Sequence, residues 1–130
     1  MSGTSFARLG ESERSKAELT DALERLRQTT PASGHPYVAD ILLWLGDAQI
    51  RAGLSSVGER SLKEALALRE KLYADEDPKR AEARSILSLA RLVRGPDEAA
   101  RAQLARDLPK LESWGLVDPE LVDRVRASLE

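Results

Sequence analysis

Apolar residues return along this chain every three to four positions, the spacing of one helix face rather than of a strand. Leu19, Ala22, Leu23 and Leu26 make one such stripe, with charges filling the opposite side. Ala100, Leu104, Leu108 and Leu111 make another. Breakers separate the stripes. Thr29-Thr-Pro-Ala-Ser-Gly-His-Pro36 is a loop by composition, and later breaks fall at Gly53-Leu-Ser-Ser, Ala74-Asp-Glu-Asp-Pro78, Gly95-Pro96 and Gly115-Leu-Val-Asp-Pro119. The pattern predicts six helices, near 12–28, 36–52, 56–73, 78–94, 96–114 and 119–129. Residues 1–11 are expected to be a flexible N-terminal segment and 12–130 one helical domain.

Local chemistry supports these starts. Asp77-Pro78 and Asp118-Pro119 each put an acceptor at the N-cap and a proline in the first turn, where a missing N–H costs nothing. His35-Pro36 has the same form, and Ser15-Lys-Ala-Glu18 fits a capping box. Pro109 interrupts the fifth stripe, so a kink or restart is expected there. Short connections between consecutive helices imply antiparallel neighbours. The fold class is all-α.

Composition then removes several functions. The 130 residues carry 20 basic and 22 acidic side chains, a net charge of −2, which disfavours nucleic acid and anionic membrane as partners. With no Cys and one His, no thiolate or multi-histidine metal site is expected, and no cofactor. No apolar run suits a signal peptide or a bilayer span, so the expected setting is cytoplasmic. A content of 42% hydrophobic but only 4% aromatic residues suits an Ala/Leu-built helical core.

The stripes also repeat. His35-Pro36 and Asp77-Pro78 stand 42 residues apart, and so do Ala39 and Ala81, Leu45 and Leu87, and Gly53 and Gly95. Gly58, Leu62 and Leu66 map by the same shift onto Ala100, Leu104 and Leu108. The first unit reads His35-Pro-Tyr-Val-Ala39, Leu42-x-x-Leu45-Gly46, Gly53, then Gly58-Glu-x-x-Leu62-x-x-Ala65-Leu66-Ala-Leu68-Arg69-Glu70. This resembles tetratricopeptide repeats, in the 42-residue variety of kinesin light chains and many bacterial proteins. The resemblance implies a solenoid of stacked antiparallel helical hairpins, about two and a half repeats long. It also implies that Gly46, Gly58 and Ala65 are the small positions where paired helices meet, with Leu42, Leu45 and Leu62 as knobs between them. Gln49 stands where such repeats usually place an aromatic residue. In the second unit the strict shift puts Arg84 and Ser88 at apolar and small positions. A register two residues later, with Ile86, Leu89, Ala90 and Val93, fits the hydrophobic pattern better and is the expected one, with a shortened turn at Gly95-Pro96. The stretch Glu82-Ala-Arg-Ser-Ile-Leu-Ser-Leu-Ala-Arg91 is similar to repeat arrays trailing bacterial serine/threonine kinases and found in large bacterial regulators.

Candidate chemistry is sparse. His35 reads as a helix-capping loop residue rather than a general base, because no second His, Cys or serine motif accompanies it. Asp40 and Asp47 lie two turns apart on one face, a spacing that solvated helix surface also produces. Asp75-Glu76-Asp77 lacks the spaced oxygens and the glycine of a calcium loop. No catalytic residue is expected, and the chain is not expected to be an enzyme. The resemblance places Asp40, Leu43, Trp44, Asp47 and Ile50 along an inner groove for a partner segment. Arg80, Arg84 and Arg91 share a helical face at spacings of four and seven and form a second candidate patch, suited to carboxylates or phosphates. A chain without Asn cannot reproduce the family's Lys/Asn clamp for C-terminal carboxylates. The expected function is a non-catalytic protein-interaction module, scaffold or regulatory, of a bacterial signalling system. Its expected partner is a protein or peptide, such as a kinase or regulator in the same or another polypeptide. The alternatives are a capping or dimerising segment, forming a homodimer through the N-terminal helix face, and a small-ligand-sensing all-α domain.

Overall fold

The computed structural model describes residues 14, 16–25 and 36–130. They form six helices and no strand among the described residues: α1 over 16–25, α2 Pro36–Arg51, α3 Ser55–Leu72, α4 Pro78–Arg94, α5 Glu98–Glu112 and α6 Pro119–Leu129. The protein is all-α. Helices α2 and α3 form one hairpin, α4 and α5 a second, and α6 packs back on α5. Helix α3 joins the hairpins by packing on α4, and α4 also touches α2 and α6. A single core of Leu, Ile, Val and Ala side chains runs through all of them, with Leu23 of α1 buried in it and Leu19 packed against it. Phe6, Leu9, Ser15, Leu26, His35 and the 1–11 segment lie outside the described residues.

The caps form as their sequences require. Asp77 and Asp118 accept hydrogen bonds from the Lys79 and Glu120 amides, and a proline follows each in the first turn. Asp97 caps α5 by accepting from the Ala100 amide, so that helix begins after Gly95-Pro96 instead of at Pro96. Helix α5 continues through Pro109 to Glu112 with no restart. The proline stands in the last turn, so the one N–H donor it removes, toward the carbonyl of residue 105, falls near the helix end.

At the end of α2, Gly53 adopts φ 87° while the Leu54 amide donates to the Gln49 carbonyl at 2.8 Å and the Gly53 amide to that of Ile50 at 3.1 Å. These two bonds are the helix-ending pair that a left-handed residue permits. Gly95 repeats the positive φ, at 149°, after α4. Both turns hold three residues between helices, so the expected shortening at Gly95-Pro96 does not occur.

Burial follows the strict 42-residue shift. Ala39 and Ala81 are both inaccessible, as are Leu62 and Leu104. Of the residues that the later register assigns to the core, Ile86, Leu89 and Ala90 are buried, whereas Val93 is 65% exposed. At two positions of the strict shift the chemistry changes from apolar to charged. Arg84 and Asp107 stand where the first unit has Leu42 and Ala65, and they pair at 3.0 Å, with Asp107 wholly buried. An ion pair thus occupies a place that the hydrophobic pattern reads as a break.

The first hairpin closes on its small residues. A Cβ on Gly46 would lie 2.7 Å from the Leu62 side chain and 3.0 Å from the Gly58 carbonyl oxygen. One on Gly58 would lie 2.6 Å from Ile50 Cδ1 and 2.9 Å from the Gly46 carbonyl oxygen. Helix propensity alone favours Gly58→Ala by about 1 kcal/mol. The backbone oxygen cannot swing aside, so the variant is expected to lose about 1–3 kcal/mol in urea unfolding. A more stable variant would show that the two helices separate freely at this point. Gln49, in place of an aromatic, is buried and accepts a hydrogen bond from the Ser61 hydroxyl at 2.7 Å, tying α2 to α3 by polarity.

Candidate functional site

The residues expected along an inner groove are mostly committed to the fold. Leu43 has no accessible surface, and Ile50 is 7% exposed with its side chain against Gly58. Both serve helix packing and present no groove wall. Trp44 is half-buried against the core. Asp40 accepts from Arg69 of α3 at 2.8 Å. Asp47 is buried and takes Arg51 at 3.3 Å and Arg124 of α6 at 3.2 Å. The two aspartates therefore answer different cations and form no acid/base pair. Arg51 also reaches Glu120, so α6 holds the polar edge of α2 that a bound segment would need.

The arginine patch divides. Arg80 and Arg84 are neighbours as their spacing implies, and both reach Asp75, at 3.3 and 3.6 Å. Arg80 also pairs with Glu70, and Arg84 with the buried Asp107, which in turn accepts from Gln103. Their guanidinium groups fasten helices and are not available to a partner. The acidic turn supplies much of this: Asp75 serves both arginines, Glu76 meets Lys110, and Asp77 caps α4. Two turns beyond Arg84, Arg91 faces a different environment.

Arg91 lines an open polar cleft of about 350 Å³ where α3 meets the turn between α4 and α5. Lys63 of α3 and Arg94 of α4 line it too, with Glu59, Gly95, Pro96 and Asp97. Arg94 is paired with Glu59, which is buried, and Asp97 is occupied with its cap. Lys63 and Arg91 have no hydrogen-bond or ion-pair partner among the described residues. Sequence spacing makes Arg91 a candidate but gives no reason to join Lys63 to it. The two are 28 positions apart, 63 to 91, on different hairpins. Only the packing of α3 on α4 brings them to one cleft.

Elsewhere the charges interlock. Arg69 is the most buried cation among the described residues, its side chain 3% exposed, and donates to Glu82 at 2.6 Å, to Asp40 at 2.8 Å and to the Lys79 carbonyl at 2.7 Å. It joins α2, α3 and α4 in one network. At the surface, Glu112 accepts a hydrogen bond from Arg126, which raises the guanidinium pKa above its ordinary value. No group of three or more His, Cys, Asp or Glu residues suited to a metal occurs among the described residues. No described helix is long and apolar enough to cross a membrane.

Comparison of the sequence with protein-family models, with curated proteins and with solved structures gave no match.

Proposed function

We propose that this protein is a non-catalytic protein-interaction module of tetratricopeptide type, acting as a scaffold or regulatory element. Its partner segment sits in the cleft between the hairpins and not along α2. The observation that carries this reading is the pair of unengaged cations, Lys63 and Arg91, in one open cleft. Arg69, Arg80, Arg84 and Arg124, by contrast, are neutralised by acids of the protein itself. Two desolvatable cations on a concave surface favour a negatively charged segment and set its orientation. The resemblance of residues 82–91 to arrays beside bacterial serine/threonine kinases supports a cytoplasmic signalling setting, with a kinase or regulator as the partner.

The test is photo-crosslinking of the full-length protein, with a photoreactive residue at the exposed position 60 beside the cleft, in a bacterial extract. The combination Lys63→Glu and Arg91→Glu is expected to remove the crosslinked protein, while Lys71→Glu, at the far end of α3, retains it. An unchanged crosslink in the double variant would overturn the proposal.

A further inference from the structure

We infer that this protein forms a dimer by reciprocal exchange of α6, each copy seating the other's last helix against its own α2, α4 and α5. The surface involved lies apart from the Lys63 and Arg91 cleft, so the inference does not rest on the proposed function. Helix α6 is held in two ways. Leu121, Val122 and Val125 enter the core, and α6 packs on α4 and α5. Toward α2 only side chains meet, since no α-carbon of α6 comes within 8 Å of that helix. Arg124 donates to Asp47 at 3.2 Å, and Arg51 to Glu120 at 3.4 Å. Each helix thus carries an acid followed four positions later by an arginine, and each acid meets the other helix's arginine. That charge complementarity, set beside the apolar stripe, selects a short helix with this order of residues. Helix α6 is the helix that fits, so the occupant from outside is α6 of a second copy.

The connection before α6 suits the exchange. Its backbone hydrogen bonds join only near neighbours, the Trp114 amide donating to the Leu111 carbonyl and the Val117 amide to that of Trp114. Gly115 has open space where a Cβ would stand. Leu116, 84% exposed, is the most exposed large hydrophobic side chain among the described residues. In a two-fold exchange the two connections run side by side, and each Leu116 is covered by the other. Every contact of α6 is remade, so the exchange costs only the loss of freedom on association, which burial of Leu116 partly offsets. The dimer carries two Lys63 and Arg91 clefts, and a partner with two recognised segments engages both.

The chain has no Cys, which makes thiol crosslinking selective. Arg51→Cys and Glu120→Cys are placed in separate full-length chains, one of them lengthened by a tag. Both sites are solvated and their ion pair is weak, so each variant should keep the native helicity. The two proteins are unfolded in urea, refolded together at high concentration, and treated with a short bis-maleimide. A crosslink from position 51 of one chain to position 120 of the other is expected, located by peptide mass. Light scattering of wild-type protein refolded in the same way should show a species of twice the monomer mass. The crosslink is expected to be absent when the two proteins are folded separately and then mixed, because α6 has then already docked in its own chain. Leu116→Ser is expected to lower its yield by at least about threefold, since the apolar surface covered across the two-fold axis is lost. No crosslink after refolding together, an equal yield from proteins mixed after folding, or a yield indifferent to Leu116→Ser would each overturn the exchange.

Discussion

Arg69→Met is expected to destabilise the protein by about 3–5 kcal/mol, as large an effect as any single substitution here should have. The methionine stem replaces the apolar bulk of the arginine but leaves three acceptors without their donor. Glu82 is buried, so its carboxylate would be stranded in a low-dielectric interior once the guanidinium is gone. Asp40, more exposed, can turn to water and adds little. Adding Glu82→Gln to Arg69→Met should recover a large part of the loss, because it removes the stranded charge. Urea unfolding of the two variants checks this. A loss below about 1 kcal/mol for Arg69→Met would place the network among ordinary surface pairs and refute its role as a three-helix tie.

Arg84 and Asp107 offer an unusual control, because the other repeat unit shows the apolar alternative at the same positions. Arg84→Leu is expected to cost about 3–5 kcal/mol by leaving the buried Asp107 carboxylate without its cation, and Asp107→Ala less, because Arg84 keeps Asp75 as a partner. The double variant copies Leu42 and Ala65 of the first unit. It is expected to unfold at the wild-type midpoint or to gain about 1–4 kcal/mol, since an ion pair seldom outweighs well-packed hydrophobic residues in a buried site. The interaction term from the resulting double-mutant cycle is the measured quantity. Additive losses would mean that the pair is not coupled. The prediction holds only under the strict 42-residue correspondence, so it also tests the repeat register.

Most of the fold is legible in the residues. Helical periodicity, the Asp-Pro starts and the two glycines at positive φ locate every described element to within a few positions. The close approach of Gly46 and Gly58 follows from the repeat pattern. The departures share a physical cause. Hydrophobic patterning assigns Val93 to the core because an apolar residue at helical spacing is ordinarily buried, yet the pattern treats Arg84 as polar and cannot see Asp107 waiting for it on α5. Leu43 and Ile50 fall to a groove because a repeat array offers one, while the packing of α2 on α3 uses both side chains. Arg80 and Arg84 form a patch by spacing, and their partners on α3, α5 and the acidic turn are out of reach of a one-dimensional reading. Charge pairing between distant segments depends on tertiary packing, so a candidate site made of charges is the last feature that a sequence yields. Of the arginine patch, Arg91 alone stays unengaged among the described residues, and Lys63 joins it only by position in space.

Stacks whose helices touch only their neighbours share no contact between their ends, and they can unravel one unit at a time. Here Arg124 reaches Asp47 across 77 residues, and Arg51 reaches Glu120 across 69. Each bond is partly solvated and contributes no more than about 1 kcal/mol. Their effect lies in what they connect. They raise the sequence separation of native contacts, which slows assembly, and they make the fraying of the last helix perceptible to the first hairpin. A helical chain held in this way is expected to melt as a unit, where an open array of the same helices would peel.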